Sequence, residues 1–220
     1  MALQPSTLRV YVVTSAGLVP GRGHAEVAAA ALAGGATALQ LRAPGHDDDA
    51  LEPLARELAA RCRERGVLFV VNDRVDLAVR AGAAGAHVGQ DDRPLEARER
   101  LGPDLVLGVS VATAAQARAA ELAGADYLGV TVWATATKPE AAPQGLDGVR
   151  AVAAATALPV VGIGGITAAS ARRVLAAGAA GVAVVSAVGA APDPVAAVRE
   201  LVAAVHGHAR RPFDPDEERP

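Results

Sequence analysis

The segment Ala33-Gly34-Gly35-Ala36 returns three times, as Ala81-Gly82-Ala83-Ala84, Ala123-Gly124-Ala125-Asp126 and Ala177-Gly178-Ala179-Ala180. Each copy follows an alanine-rich helical stretch and precedes an apolar run. Glycine just beyond a helix end accepts the left-handed conformation that stops the helix. The copies recur at intervals of roughly 50 residues, room for two βα units, since a complete βαβ unit takes about 30 residues or more. Four copies therefore predict eight strands and eight helices.

The predicted strands lie near 8–14, 37–42, 67–72, 85–89, 105–110, 126–130, 159–163 and 181–186. Helices are expected near 23–33, 48–65, 74–81, 94–101, 113–123, 146–155, 167–176 and 193–205. Asp48 and Asp49 would sit in the first turn of the second helix, and Thr113 and Thr167 are suited to cap theirs. Eight alternating units in a single domain predict an α/β fold, a (β/α)8 TIM barrel spanning residues 1–206. An open doubly wound sheet is the alternative; even spacing and a repeat running through the whole chain favour closure. Beyond residue 206 the chain turns polar and proline-bearing, and a disordered tail is expected over 207–220.

Composition narrows the function. Of the 220 residues 51% are hydrophobic but only 2% aromatic, so alanine, valine, leucine and glycine must fill the core. A net charge of −3 with no basic block argues against a nucleic-acid partner. No apolar run approaches the ~20 residues of a membrane helix, and no basic region precedes the first apolar stretch as in a signal peptide. Cys62 is the only cysteine, which excludes an internal disulfide and fits a reducing cytoplasm. It reads as a small buried hydrophobe on a helix. A homo-oligomer is allowed and not specified.

The apolar runs end on residues suited to chemistry. Ala38-Leu39-Gln40-Leu41-Arg42 ends on Gln and Arg, Val67 to Val71 on Asn72-Asp73, and Ala86-His87-Val88-Gly89 on Gln90-Asp91-Asp92. Leu105 to Val109 ends on Ser110, Val160 to Ile163 on Gly164-Gly165, and Val182 to Val185 on Ser186. Parallel strands put all these tips on one rim, where α/β folds carry their sites.

Asp73 and Asp92 end neighbouring strands. Each could cap the helix that follows. Strand tips about 5 Å apart also let the pair face one cation. Mg²⁺ is commonly held by one or two carboxylates together with substrate phosphates, so the pair implies a phosphorylated ligand. Gly162-Ile163-Gly164-Gly165-Ile166-Thr167 precedes a helix; glycines let a phosphate approach the backbone closely, and helix N-termini supply amides. In barrels the loops after strands seven and eight often bind phosphate, which couples this turn to Val185 and Ser186. Thr135-Ala136-Thr137-Lys138 lies in the longest gap, 131–144, and offers two hydroxyls and an ammonium. Trp133 is read as packing that loop. His87 is expected within a strand, His24 and His46 in loops, and His206 and His208 in the tail. These histidines form no set, and neither a Ser-His-Asp arrangement nor a zinc spacing is present.

With these motifs in order, the chain resembles the thiamine phosphate synthase family from about residue 8 to 205. The motifs are Gln40-Leu41-Arg42, Asn72-Asp73-Arg74, His87 to Asp92, Gly108-Val109-Ser110, Thr135-Ala136-Thr137-Lys138, Gly164-Gly165 and Val185-Ser186. The resemblance implies a (β/α)8 enzyme that joins hydroxymethylpyrimidine diphosphate to a hydroxyethylthiazole phosphate, giving thiamine phosphate and diphosphate. It implies that the diphosphate leaves first and the thiazole nitrogen captures the pyrimidine-methyl cation. By motif, Asp73 and Asp92 would hold Mg²⁺. Gln40, Arg42, Asn72, Ser110 and Lys138 would bind the pyrimidine diphosphate, with Arg42, Ser110 and Lys138 acting in catalysis. Thr135, Thr137, Gly164, Gly165, Val185 and Ser186 would bind the thiazole phosphate.

The chain departs from the family pattern twice. Pro44 stands where a lysine is usual, and Thr131-Val132 replaces a Gly-Pro step. Two other readings compete. A thiazole tautomerase of the same superfamily would need a base near Ala112, where a histidine would be expected. A non-catalytic binder of phosphorylated ligands would account for the missing lysine.

Overall fold

A computed structural model describes residues 3–89, 93–139 and 141–206. Eight parallel strands form a closed barrel in sequence order, each hydrogen-bonded to the next and the last to the first. They are β1 (Val10–Val13), β2 (Ala38–Leu41), β3 (Leu68–Asn72), β4 (Gly85–Val88), β5 (Val106–Ser110), β6 (Tyr127–Thr131), β7 (Val160–Ile163) and β8 (Gly181–Val184). The helices are α1 (His24–Gly34), α2 (Asp48–Glu64), α3 (Val75–Ala81), α4 (Pro94–Leu101), α5 (Ala114–Leu122), α6 (Gly145–Ala153), α7 (Ala168–Ala176), a short α8 (Ser186–Gly189) and α9 (Pro194–His206). Closure replaces the open sheet held as the alternative. The proposed tail at 207–220 lies outside the described residues.

Alternation along the strands makes two cores. Tyr11, Val13, Ala38, Leu68, Val70, Tyr127, Val161 and Ala183 point into the barrel and pack together with Leu8. Their neighbours, such as Val10, Val12, Leu39, Leu41, Phe69, Val71, Leu128 and Val130, point outward beneath the helices. A residue with both faces buried must be apolar or satisfied, which is why these strands read as nearly unbroken apolar runs.

Several boundaries differ from those expected. Leu8 belongs to a 3-10 turn, Pro5–Leu8, that plugs the lower mouth, so β1 starts at Val10. Gly181 fits beneath this plug because a Cβ there would lie 1.8 Å from the Leu8 carbonyl oxygen. In the first repeat the helix is stopped by Gly35 (φ 93°) rather than Gly34. Gly34 instead lets α1 meet α9, since a Cβ on it would fall 2.4 Å from Val198 Cβ. Gly82 (φ 66°) ends α3 as expected. Helix α8 was not expected; four residues are too short for a periodic signal. Thr113 caps α5, accepting from Gln116 N at 3.2 Å. Cys62 is buried on α2, and burial pushes its thiol up to about 11. Among the described residues no helix is long and apolar enough to cross a membrane.

Candidate active site

The upper rim encloses a cavity of about 90 Å³ within the barrel mouth. Gln40, Arg42, Asn72, Ser110, Thr135, Thr137, Lys138, Gly164, Gly165, Val185 and Ser186 all line it, so every residue expected to touch substrate meets in one place. A wider cleft of about 430 Å³ adjoins it and shares Arg42, Asn72, Ser110 and Lys138 with it; Asp73 borders this cleft. Asp92 lies outside the described residues. The shared parity of the inward strand residues causes the convergence. Gln40, Asn72, His87, Ser110 and Thr131 occupy successive strands with their side chains on the barrel's inner face, each within one rung of the next.

The floor is polar, and most of it was not anticipated. Gln40 Nε2 donates to Tyr11 Oη at 2.7 Å, and the Tyr11 and Tyr127 hydroxyls are 2.9 Å apart. Tyr127 Oη is 2.9 Å from His87 Nδ1, and His87 Nε2 is 3.0 Å from Ser110 Oγ. Gln40, Tyr11 and Tyr127 are buried, so each needs these partners. Burial raises both phenols well above their ordinary range. Burial first, and the charge of Lys138 second, lower His87 to about 4, so its ring is neutral near pH 7. His87 lies within its strand, as expected, and faces the cavity beside Ser110. The signal was its parity with Gly85, the inward residue of β4. His24 is corrected: it opens α1, is buried, and its Nδ1 lies 2.9 Å from Thr14 Oγ1. His206 ends α9 rather than lying in the tail.

Two glycines make room for this floor. A Cβ on Gly108 would lie 2.2 Å from Tyr127 Cζ and 2.4 Å from His87 Nδ1, and one on Gly129 would lie 3.1 Å from His87 Cε1. Opposite, Gly164 (φ 93°) and Gly165 (φ 64°) form a left-handed turn ahead of α7. The Trp133 carbonyl oxygen would be 2.6 Å from a Cβ on Gly164, and Trp133 N donates to Gly164 O at 3.3 Å. Trp133 therefore packs the loop after β6 onto this turn, as expected. That seats Thr135 and Thr137, whose hydroxyls are 3.0 Å apart, over the cavity. Thr167 N donates to Ser170 Oγ at 3.0 Å at the start of α7.

Charge at the mouth is uneven. Arg74 pairs with Asp48 and also reaches the Ala43 carbonyl. Among the described residues, Arg42 and Lys138 have no ion-pair partner, and both border the cavity and the cleft. Asp73 sits at φ 61°, the only non-glycine residue with positive φ among those described. Its backbone N–H donates to the His87 carbonyl at 2.8 Å, and Asn72 Nδ2 donates to its Oδ2 at 2.5 Å. Asp73 makes no helix cap; Arg74 holds that position without a side-chain bond, so the capping alternative fails for Asp73. A strained residue at a rim points toward function. A hard carboxylate oxygen beside two cations fits a hard cation carried with a polyphosphate. No group of three metal-ligating side chains occurs among the described residues.

A closed (β/α)8 barrel with cations, hydroxyls and a glycine turn gathered at the carboxyl ends of its strands has the architecture of the TIM-barrel enzymes, a class that carries its sites on that rim. Residues 10–188 match the family described as thiamine monophosphate synthase. A thiamine-phosphate synthase of Methanoregula boonei is 47% identical over 88% of this chain and 91% of its own. That of Solidesulfovibrio magneticus is 52% identical over 87% of this chain and 92% of its own. The solved structure of a thiamine phosphate pyrophosphorylase from Pyrococcus furiosus superposes with a TM-score of 0.85 at 38% identity, covering 94% of this chain and 99% of that one. The chain belongs to the thiamine monophosphate synthase family and is an enzyme, a transferase.

Proposed function

We propose that the chain condenses hydroxymethylpyrimidine diphosphate with hydroxyethylthiazole phosphate, releasing diphosphate and thiamine phosphate. The observation that carries this reading is the meeting of two cations without an ion-pair partner among the described residues, Arg42 and Lys138, with the Ser110 hydroxyl at one mouth. Such a mouth stabilises negative charge as it grows on a departing diphosphate. No thiol or carboxylate lies among the described residues that line the inner cavity, which fits bond breaking ahead of bond making.

Arg42, Asn72, Ser110 and Lys138 would hold the diphosphate, and Gln40 the pyrimidine. Thr135, Thr137, Gly164, Gly165, Val185 and Ser186 would hold the thiazole phosphate, the glycine turn giving it close access to backbone amides. The two substrates would face each other across the cavity, which brings the thiazole nitrogen to the carbon that the diphosphate leaves. Asp73 and Asp92 would hold Mg²⁺, whose part is to neutralise charge on the leaving group. A tautomerase would need a base in place of Ala112, whose own side chain, where it borders the cleft, is a methyl group. Cytoplasmic residence belongs to the same proposal, supported by the single buried thiol at Cys62.

The test mixes purified protein with both substrates and Mg²⁺ and measures diphosphate release. Release dependent on both substrates is expected. No release, or full activity in Asp92→Asn, would defeat the assignment.

A further inference from the structure

The hydrogen-bonded floor has a direction. Each tyrosine hydroxyl carries one proton. At Tyr11 the Gln40 amide already donates to the oxygen, and among the described residues the acceptor within reach of the phenol's own proton is Tyr127 Oη. Tyr127 then accepts from Tyr11, and among the described residues its proton has one remaining partner, His87 Nδ1. That nitrogen is the bare one. The single proton of the neutral ring sits on Nε2, 3.0 Å from Ser110 Oγ. Ser110 accepts from the ring and keeps its own proton for the cavity it lines.

We propose that His87, held by Tyr127, Tyr11 and Gln40, is a positioning residue that fixes the Ser110 hydroxyl as a donor toward the bound ligand. What Ser110 donates to rests on the function proposed above; the orientation itself does not. Without the relay, a neutral imidazole could offer bare Nε2 and draw the Ser110 proton inward, away from the ligand. Gly108 and Gly129 are part of the device, because side chains there would crowd the ring.

Nitrogen-15 spectroscopy of the histidine-labelled full chain, without substrates, reads which ring nitrogen carries the proton. A His87 ring protonated on Nε2 is expected, with Tyr127→Phe relaxing it to a mixture. A ring protonated on Nδ1 in the unaltered protein, or no change in Tyr127→Phe, would overturn the proposal. The unaltered protein decides the first point even if the variant does not fold. In the condensation assay, Tyr127→Phe should lower kcat about tenfold with little change in KM, as for one misdirected hydrogen bond. In a Ser110→Ala background the same change should cost nothing further. Equal losses in both backgrounds would show that Tyr127 acts structurally and not through Ser110. If the unaltered protein does not turn over, the proposed function fails while the spectrum still decides the orientation.

Discussion

Replacing Gly108 with alanine adds one methyl group at the most crowded point of the barrel. The new Cβ would sit 2.2 Å from Tyr127 Cζ and 2.4 Å from both Tyr127 Oη and His87 Nδ1. Carbon atoms settle at about 3.5–4 Å, so the rings must retreat by more than an ångström. They cannot do so together, because the methyl presses on both ends of their 2.9 Å hydrogen bond. Tyr127 is fully buried and meets Tyr11 edge-on with centroids 6.1 Å apart. Overpacking costs about 1–3 kcal/mol, and a buried partner left unpaired a further amount of the same size. The sum, roughly 2–6 kcal/mol, should lower Tm by about 5–20 °C in a chain of this length. Gly129→Ala is the graded control. Its Cβ would lie 3.1 Å from the edge of the His87 ring, and a small shift should hold the cost near 1 kcal/mol. Thermal and urea unfolding followed by circular dichroism checks both. Gly108→Ala within about 0.5 kcal/mol of the parent, or no worse than Gly129→Ala, would refute the packing argument.

Further expectations concern charge. Lys138→Ala should lower kcat/KM by about 100-fold or more, as removal of one transition-state donor does elsewhere; unchanged kinetics would remove Lys138 from the site. Asp73→Asn should raise the Mg²⁺ concentration needed for half-maximal diphosphate release, and identical magnesium curves would argue against the carboxylate's role. His87 is held near 4, below its ordinary 6.5, mainly by burial. The unfolded chain therefore takes up the proton first as acid is added. Stability from this group is complete above the ordinary value and falls by up to about 2 kcal/mol between about pH 7 and about pH 5. Urea midpoints at the two pH values measure the fall, and His87→Gln should shrink it; an equal fall in the variant would assign the effect to other groups.

Much of this protein could be read from its residues in order. The four alanine-glycine segments set the strand count, and the apolar runs placed the rim. Period two then carries Gln40, Asn72, Ser110 and Thr131 inward with no further information, because successive side chains on a strand face opposite ways. The glycine turn at Gly164 and Gly165 was legible for a similar reason, since its glycines sit between a strand and a helix. Boundaries were less so. Gly34 and Gly35 are both glycine, and only the contact with Val198 on α9 decides which stops α1 and which lets two helices touch.

The floor of the site was decided by tertiary structure alone. Tyr11 and Tyr127 are 116 residues apart, on strands that are not neighbours, and they meet across the barrel interior. No local pattern encodes that meeting; it depends on the diameter that eight strands impose, just wide enough for side chains to fill. Gly108 likewise reads as an ordinary small residue until closure sets two rings against it. Sequence by itself determined which residues face inward, because alternation is a property of each strand. The structure decided which of them touch, because touching is a property of the closed sheet.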